Sequence, residues 1–121
     1  MKNLFLLLTI ITLTACKAQT NGNTTVIDLK DLKTEVIGKE VQLVDVRTKK
    51  EYDNGYIDNA INISISDKDN FKKEIQKLDK TKPIYIYCHA GGRSNRASKI
   101  MEDLGFLSIY DFSGGWKVWS N

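Results

Sequence analysis

From Val26 onward the apolar positions of the chain alternate between two periods. Leu29, Leu32, Val36 and Ile37 are spaced for one face of a helix, with Asp28 placed to cap its start and Gly38 just past its end. Val41 to Val46 is apolar and β-branched, the pattern of a buried strand. Thr48 and Glu51 have the spacing of a capping box, so a short helix is predicted that stops near Asn54-Gly55. Ile61, Ile63 and Ile65 alternate with Asn62, Ser64 and Ser66 at strand period. Helical spacing returns over 67–78 with Phe71, Ile75 and Leu78. Pro83 then introduces the strand Ile84-Tyr85-Ile86-Tyr87, the one position in a central strand where proline is tolerated. Tyr85 and Tyr87 share a face of that strand and read as packing. Ser94 to Leu104 places Ala97, Ile100, Met101 and Leu104 on one side of a helix that Gly105 ends. Ile109 to Phe112 is a last short strand, and Trp116 to Trp119 a last helical turn.

Strands separated by helical patterns predict an α/β fold, a three-layer α/β/α arrangement around a central, mainly parallel sheet of about five strands. In such sheets ligands bind beyond the carboxyl ends of the strands. Three segments fall there: Asp45-Val46-Arg47, the loop from Cys88, and Ser113-Gly114-Gly115.

The first residues follow neither period. Lys2 precedes Leu4 to Leu13, ten residues that are apolar except for Thr9 and Thr12. A membrane-spanning helix needs ~20 apolar residues, so the run fits the hydrophobic core of a secretory signal instead. Leu13-Thr14-Ala15-Cys16 resembles the lipobox of bacterial lipoprotein precursors, in which the cysteine is acylated and becomes the new N-terminus. The expected organisation is a leader over 1–15, the lipidated Cys16 with a polar tether over 16–25, and a folded domain over 26–121. The protein is then exported and held by lipid to a bacterial membrane, facing the periplasm. Lys17, where an acidic residue often signals retention at the inner membrane, hints at the outer one.

Composition adds little constraint except on partners. The chain has 121 residues, 41% hydrophobic and 27% charged, an ordinary globular balance. Its net charge of +3 comes from 18 basic and 15 acidic residues interspersed along the chain, without the basic stripe that nucleic acid requires. No heptad or large apolar stripe calls for a second subunit, so a monomer is expected. With Cys16 acylated, Cys88 is the single free thiol of an exported protein, where a thiol is exposed to oxidation and its retention asks for a chemical reason.

That reason lies in Cys88-His89-Ala90-Gly91-Gly92-Arg93-Ser94, between a predicted strand and a predicted helix. The thiolate is the nucleophilic form of cysteine. A helix N-terminus, a nest of backbone amides and the charges of Arg93 and Arg96 all favour it. Gly91 and Gly92 let the backbone turn those amides inward.

The loop has the form Cys-x-x-x-x-Arg-Ser and resembles the active-site loop of rhodanese-type sulfurtransferases. Asp45-Val46-Arg47, Glu51-Tyr52, Gly55-Tyr56-Ile57 and Asn59-Ala60-Ile61-Asn62 are similar to motifs near the start of that domain, and Gly114-Gly115-Trp116 with Trp119 to its closing motif. The likeness runs from about Leu43 to Trp119 and less distinctly back to Val26. It implies that Cys88 takes the outer sulfur of a small sulfur-containing anion such as thiosulfate. The resulting persulfide is cradled by the loop over 89–94, and a thiol or cyanide then accepts the sulfur. It implies no metal and no organic cofactor. Phosphatases of related fold space five residues between cysteine and arginine. The four here make a smaller cradle, suited to one sulfur atom rather than a phosphate or arsenate. A module that carries sulfur or senses redox state without turnover is the other reading the loop allows.

Within the loop, Arg93 either binds the donor's sulfonate oxygens or holds loop carbonyls. His89, the one histidine, lines the entrance, and an ionised thiol needs no base. Ser94 caps the following helix and can donate to the thiolate. Arg47 is four residues from Glu51 and can pair with it, and the resemblance implies that Asp45 and Arg47 support the fold near the site. Arg96 reads as a solvated helix residue, and both tryptophans as packing.

Overall fold

A computed structural model describes residues 22–121. The leader, the lipidation site Cys16 and most of the tether expected from the sequence lie outside the described residues. Ten elements follow in order: β1 (Thr24–Ile27), α1 (Leu29–Glu35), β2 (Gln42–Asp45), α2 (Lys49–Asp53), β3 (Ile61–Asn62), α3 (Lys68–Ile75), β4 (Ile84–Tyr87), α4 (Gly92–Asp103), β5 (Ile109–Phe112) and α5 (Gly115–Trp119). The five strands form one sheet in the order β1-β5-β4-β2-β3, with every pairing parallel. The sheet separates two hydrophobic clusters. In one, Phe71 and Ile75 of α3 and Ala97 and Met101 of α4 meet Val44, Ile84, Ile86 and Ile109. In the other, Leu32 and Val36 of α1, with Tyr52, Trp116 and Trp119, meet Leu43, Tyr85, Tyr87 and Phe112. This is the expected α/β/α layering. All four residues of β4 are buried, as a parallel strand covered on both faces must be.

Local signals placed most helices. Asp28 caps α1, and Asp31 closes a reciprocal box with it. Thr48 and Glu51 form the predicted capping box of α2. Two departures have clear causes. Thr24 and Thr25, read as tether, belong to β1, an edge strand of which only Ile27 is buried, so no alternation marks it. Asn23 secures it: its carbonyl accepts from Ile109 N and its side chain donates to the Phe106 carbonyl. At the other edge, β3 is two residues long although the isoleucine pattern continues. Ile63 N and Ile65 N still donate to Asp45 and Val46 carbonyls, and the Asn62 amide binds the Asp45 and Arg47 carbonyls.

The connections into and out of β4 run to opposite sides of it: β2 and β3 lie on one side, and β5, with β1 beyond it, on the other. Cys88 is the first residue after β4, so the loop it opens stands at the carboxyl edge where the topology leaves a crevice.

Candidate active site

Helix α4 begins without a side-chain cap. Its N-cap is Gly91 in the left-handed region (φ +98°), and a Cβ there meets the Ser113 carbonyl oxygen. Ser94 was expected at that position and stands three residues later, inside the first turn. The physical reason is that the Cys88 sulfur takes over the capping role. Gly91 N donates to Cys88 Sγ at 3.1 Å, and the Ser94 hydroxyl lies 3.5 Å from the same atom. Helix-start amides lack partners within the helix, so a buried sulfur can satisfy them and is stabilised in its charged form by doing so.

Burial at 1% exposure pushes the Cys88 thiol up. Hydrogen bonds from the Ser94 hydroxyl and from the Ser94, Gly91 and Ala90 amides outweigh it and hold the thiol below its ordinary value. The loop thus does what its glycines predicted, with amides and a hydroxyl, rather than arginine charge, contributing most. His89 and Ala90 are exposed at the rim, and Arg96 is a solvated helix residue.

Arg93 is not free for a donor. Its guanidinium makes a bidentate pair with Glu51, Nη1 to Oε1 at 2.6 Å and Nη2 to Oε2 at 2.9 Å. Neither of the two contacts read from the sequence, donor oxygens or loop carbonyls, is the one Arg93 makes: it binds a carboxylate of α2 and so ties the loop to that helix. The possible Arg47–Glu51 pair is absent because Arg47 precedes the cap of α2 and does not share its helical face. The Arg93 hydrogen bonds are the main cause that brings Glu51 down to about 2, from an ordinary 4.5. Such a depressed carboxyl stabilises the fold fully above the ordinary value and loses that contribution as pH falls through about 2. Glu51→Gln is therefore expected to cost at most ~1 kcal/mol at neutral pH, since the pair is about a third exposed. Urea unfolding followed down the acid limb checks this: the gap between variant and wild type closes between pH 4.5 and about 2.

Beneath the loop lies a second, buried assembly. Asp45 is fully buried and Arg47 2% exposed, paired through Nη2 and Oδ2 at 2.6 Å. The same Nη2 donates to the Gly55 carbonyl at 2.7 Å. The guanidinium stands 4.8 Å from the Trp116 ring centroid and 5.7 Å from that of Tyr87. The Tyr87 hydroxyl in turn accepts from Ile57 N. Asp45 and Arg47 thus form a buried ion pair beside the loop, with the Trp116 ring packed on the guanidinium.

Trp116 carries that support to the loop. Trp116 N donates to the Cys88 carbonyl and Lys117 N to the His89 carbonyl, so the start of α5 grips the backbone of the nucleophile. Gly115 makes this possible: it sits at φ +61°, and a Cβ there overlaps both carbonyl oxygens. Gly115→Ala is expected to cost roughly 2–4 kcal/mol, combining a left-handed alanine with a backbone overlap that no rotamer relieves. Thermal or urea unfolding measures it.

Sequence reasoning missed three groups: Glu51 as the partner of Arg93, the α5 amides as a clamp, and Asp111. The first two had no pairwise signal across 42 and about 28 residues of chain. Asp111 had one: an acidic residue inside a strand of otherwise apolar and aromatic residues, Ile109-Tyr110-Asp111-Phe112. It is 2% exposed.

The chain is similar to several known proteins. A Bacillus subtilis protein of uncharacterised function, YqhL, is 38% identical over 81 residues, 67% of this chain and 62% of its own length. The thiosulfate sulfurtransferase GlpE of Shewanella oneidensis is 32% identical over 81 residues, 67% of this chain and 77% of the enzyme. The crystal structure of a rhodanese-like domain protein from Staphylococcus aureus superposes with a TM-score of 0.69 at 32% identity, covering 78% of this chain and 90% of that one. The Rhodanese-like domain family matches residues 28–121, from the cap of α1 to the last residue, and the chain belongs to that family.

Proposed function

We propose that the protein is a sulfurtransferase that moves a sulfane sulfur from thiosulfate or a similar anion to a thiophilic acceptor through a persulfide on Cys88. The observation that supports this best is the sulfur atom at the start of α4, held below its ordinary pKa by the hydroxyl and amides around it. The Cys88 thiolate attacks the outer sulfur of thiosulfate. The bond between the two donor sulfurs breaks, its electron pair leaves with sulfite, and the negative charge moves to the terminal sulfur of Cys88. The amides that held the thiolate then face the new anion, as an oxyanion hole faces its oxygen, where one donor is worth ~3 kcal/mol. An acceptor nucleophile takes the terminal sulfur and returns the thiolate. The two half-reactions are separable, as in any covalent ping-pong scheme.

The buried sulfur and exposed rim favour a slim donor over a bulky one. Similarity to GlpE, named a thiosulfate sulfurtransferase, supports the same class. The test is sulfite release from thiosulfate with cyanide as acceptor. Parallel double-reciprocal lines are expected. Uptake of one sulfur per Cys88 without turnover would assign the protein to sulfur carriage instead. The rate of the first half-reaction is expected to rise with pH as Cys88 ionises and to level off below the ordinary thiol range. The sign follows from the thiolate being the attacking form and from its lowered pKa. Stopped-flow sulfite release across pH reads it, and a rise that continues into the range of a free thiol contradicts it.

Export and lipid anchoring through Cys16 belong to the same proposal and rest on the apolar run Leu4 to Leu13 and the Leu13-Thr14-Ala15-Cys16 motif. Among the described residues no helix is long and apolar enough to cross a membrane. Incorporation of a labelled fatty acid that is lost in Cys16→Ala tests it. The tether then presents the loop to small anions and thiols outside the cytoplasm, and the domain is expected to act as a monomer.

A further inference from the structure

The sulfur loop over 88–94 carries a single arginine or lysine, Arg93, and the fold neutralises it. Glu51 holds both of its outer nitrogens, at 2.6 and 2.9 Å. Glu51 is itself fixed. It is the third residue of α2, and its Oε1 also accepts from the Thr48 hydroxyl at 3.0 Å and from Thr48 N at 3.4 Å. Its carboxyl, brought down to about 2, stays ionised throughout the neutral range. The other arginine at this edge of the sheet, Arg47, is buried with its own carboxylate, Asp45. Arg96 and Lys117 stand exposed on the flanking helices.

Charge discriminates between sulfur donors at such a site. Thiosulfate is a dianion at neutral pH, and the sulfite that leaves it carries both negative charges away. Together with the thiolate it sets three negative charges side by side, and like charges at close range repel strongly outside bulk water. A hydropersulfide, R–S–SH, is uncharged. The Cys88 thiolate attacks its outer sulfur, the S–S bond breaks, and the electron pair leaves on R–S⁻. The outer sulfur keeps its proton as Cys88–S–SH. That route passes one negative charge through the site, which the loop amides and the Ser94 hydroxyl already accommodate.

We propose that Glu51 sets the donor specificity of the sulfur site: by holding Arg93 in a bidentate pair it withholds the cation of the loop from dianionic donors and turns the site toward uncharged hydropersulfides. Glu51 acts through Arg93 and touches no donor, so it is a positioning residue. The inference rests on the sulfurtransferase reading for the identity of the reaction; the withheld cation is testable by anion binding alone.

Glu51→Gln isolates the charge. Glutamine serves a capping box as glutamate does, so α2 keeps its start, while Arg93 regains an uncompensated charge. Two measurements on the full-length protein decide. The first is thiosulfate binding by calorimetry in Cys88→Ser, which forms no persulfide. Adding Glu51→Gln is expected to tighten binding about tenfold, the effect of one charge-assisted hydrogen bond at a partly exposed pair. Adding Arg93→Gln as well is expected to remove the gain. The second measurement keeps Cys88 and compares the rates at which thiosulfate and a small uncharged alkyl hydropersulfide load it with sulfur, read by intact mass. The ratio of the thiosulfate rate to the hydropersulfide rate is expected to rise in Glu51→Gln and to fall back in Glu51→Gln/Arg93→Gln. A loosened loop slows both donors and leaves this ratio where it was, so a merely structural role of Glu51 does not move it. Equal thiosulfate affinity with and without Glu51→Gln, or no binding to either protein, overturns the proposal. So does an unchanged ratio, or a rise that persists in the double variant. If binding tightens as expected while neither donor loads Cys88, the sulfurtransferase reading fails and the hold of Glu51 on the Arg93 charge stands.

Discussion

Cys88→Ser is expected to lower sulfite release from thiosulfate by at least on the order of 10³-fold, to the background rate, while leaving the fold in place. Both halves come from the same atom. Serine at this position is a neutral, hard nucleophile with a far higher pKa and cannot hold a persulfide, so the covalent route closes. Yet a hydroxyl oxygen is itself a good helix cap, so the amides that Cys88 Sγ satisfies at the start of α4 keep an acceptor. The stability change is therefore expected to stay within ~1 kcal/mol. Cys88→Ala separates the two roles: it is equally inactive and additionally loses the cap, for about 1 kcal/mol more. The thiosulfate–cyanide assay and urea unfolding on the same preparations measure both. A serine variant that keeps substantial activity contradicts the mechanism. One that unfolds contradicts the capping argument.

Arg47→Ala is expected to be the most destabilising single substitution near the site, at about 3–5 kcal/mol. Removing the guanidinium leaves Asp45 fully buried, its Oδ2 stripped of its ion pair and its Oδ1 bonded only to a backbone amide. It also empties the space between Trp116 and Tyr87 and abandons the Gly55 carbonyl. Much of that cost is the stranded carboxylate rather than the intrinsic value of the pair. The double variant Asp45→Ala/Arg47→Ala is accordingly expected to lose less than the sum of its single variants. A loss of 3–5 kcal/mol is a large share of the ~5–15 kcal/mol that holds an ordinary domain together, so the single variant is expected to be partly unfolded at 37 °C. Urea denaturation followed by Trp116 and Trp119 fluorescence reads the effect. Because Trp116 N holds the Cys88 carbonyl, a slackened Trp116 is also expected to lower the rate of persulfide formation in the fraction that stays folded.

The parts of this fold that rest on local chemistry were legible in the sequence. The capping box of Thr48 and Glu51, the buried run before Asp45 and the glycine-rich turn after Tyr87 each declare themselves within a few residues, and each is where it was expected. β1 was not legible, because an edge strand with one buried residue carries no period. The start of α4 was misplaced at Ser94 because its capping atom is a sulfur that lies before the turn, not a side chain in the usual position. Arg93 shows the limit most plainly. A basic residue beside a nucleophile reads as an anion ligand, and only the fold reveals that Glu51, 42 residues earlier, already occupies both of its outer nitrogens. The same Glu51 serves the capping box, so one carboxylate both starts α2 and pins the active loop. Asp111 needed the burial of β5 to become visible as a group without a counter-ion.

The most direct test is the intact mass of the folded protein before and after a brief exposure to thiosulfate, followed by peptide mapping. A gain of one sulfur atom is predicted, confined to the peptide that contains Cys88, absent in Cys88→Ser and reversed by cyanide. A folded protein that gains no sulfur, or gains it on any other residue, contradicts the assignment of Cys88 as the sulfur-bearing nucleophile.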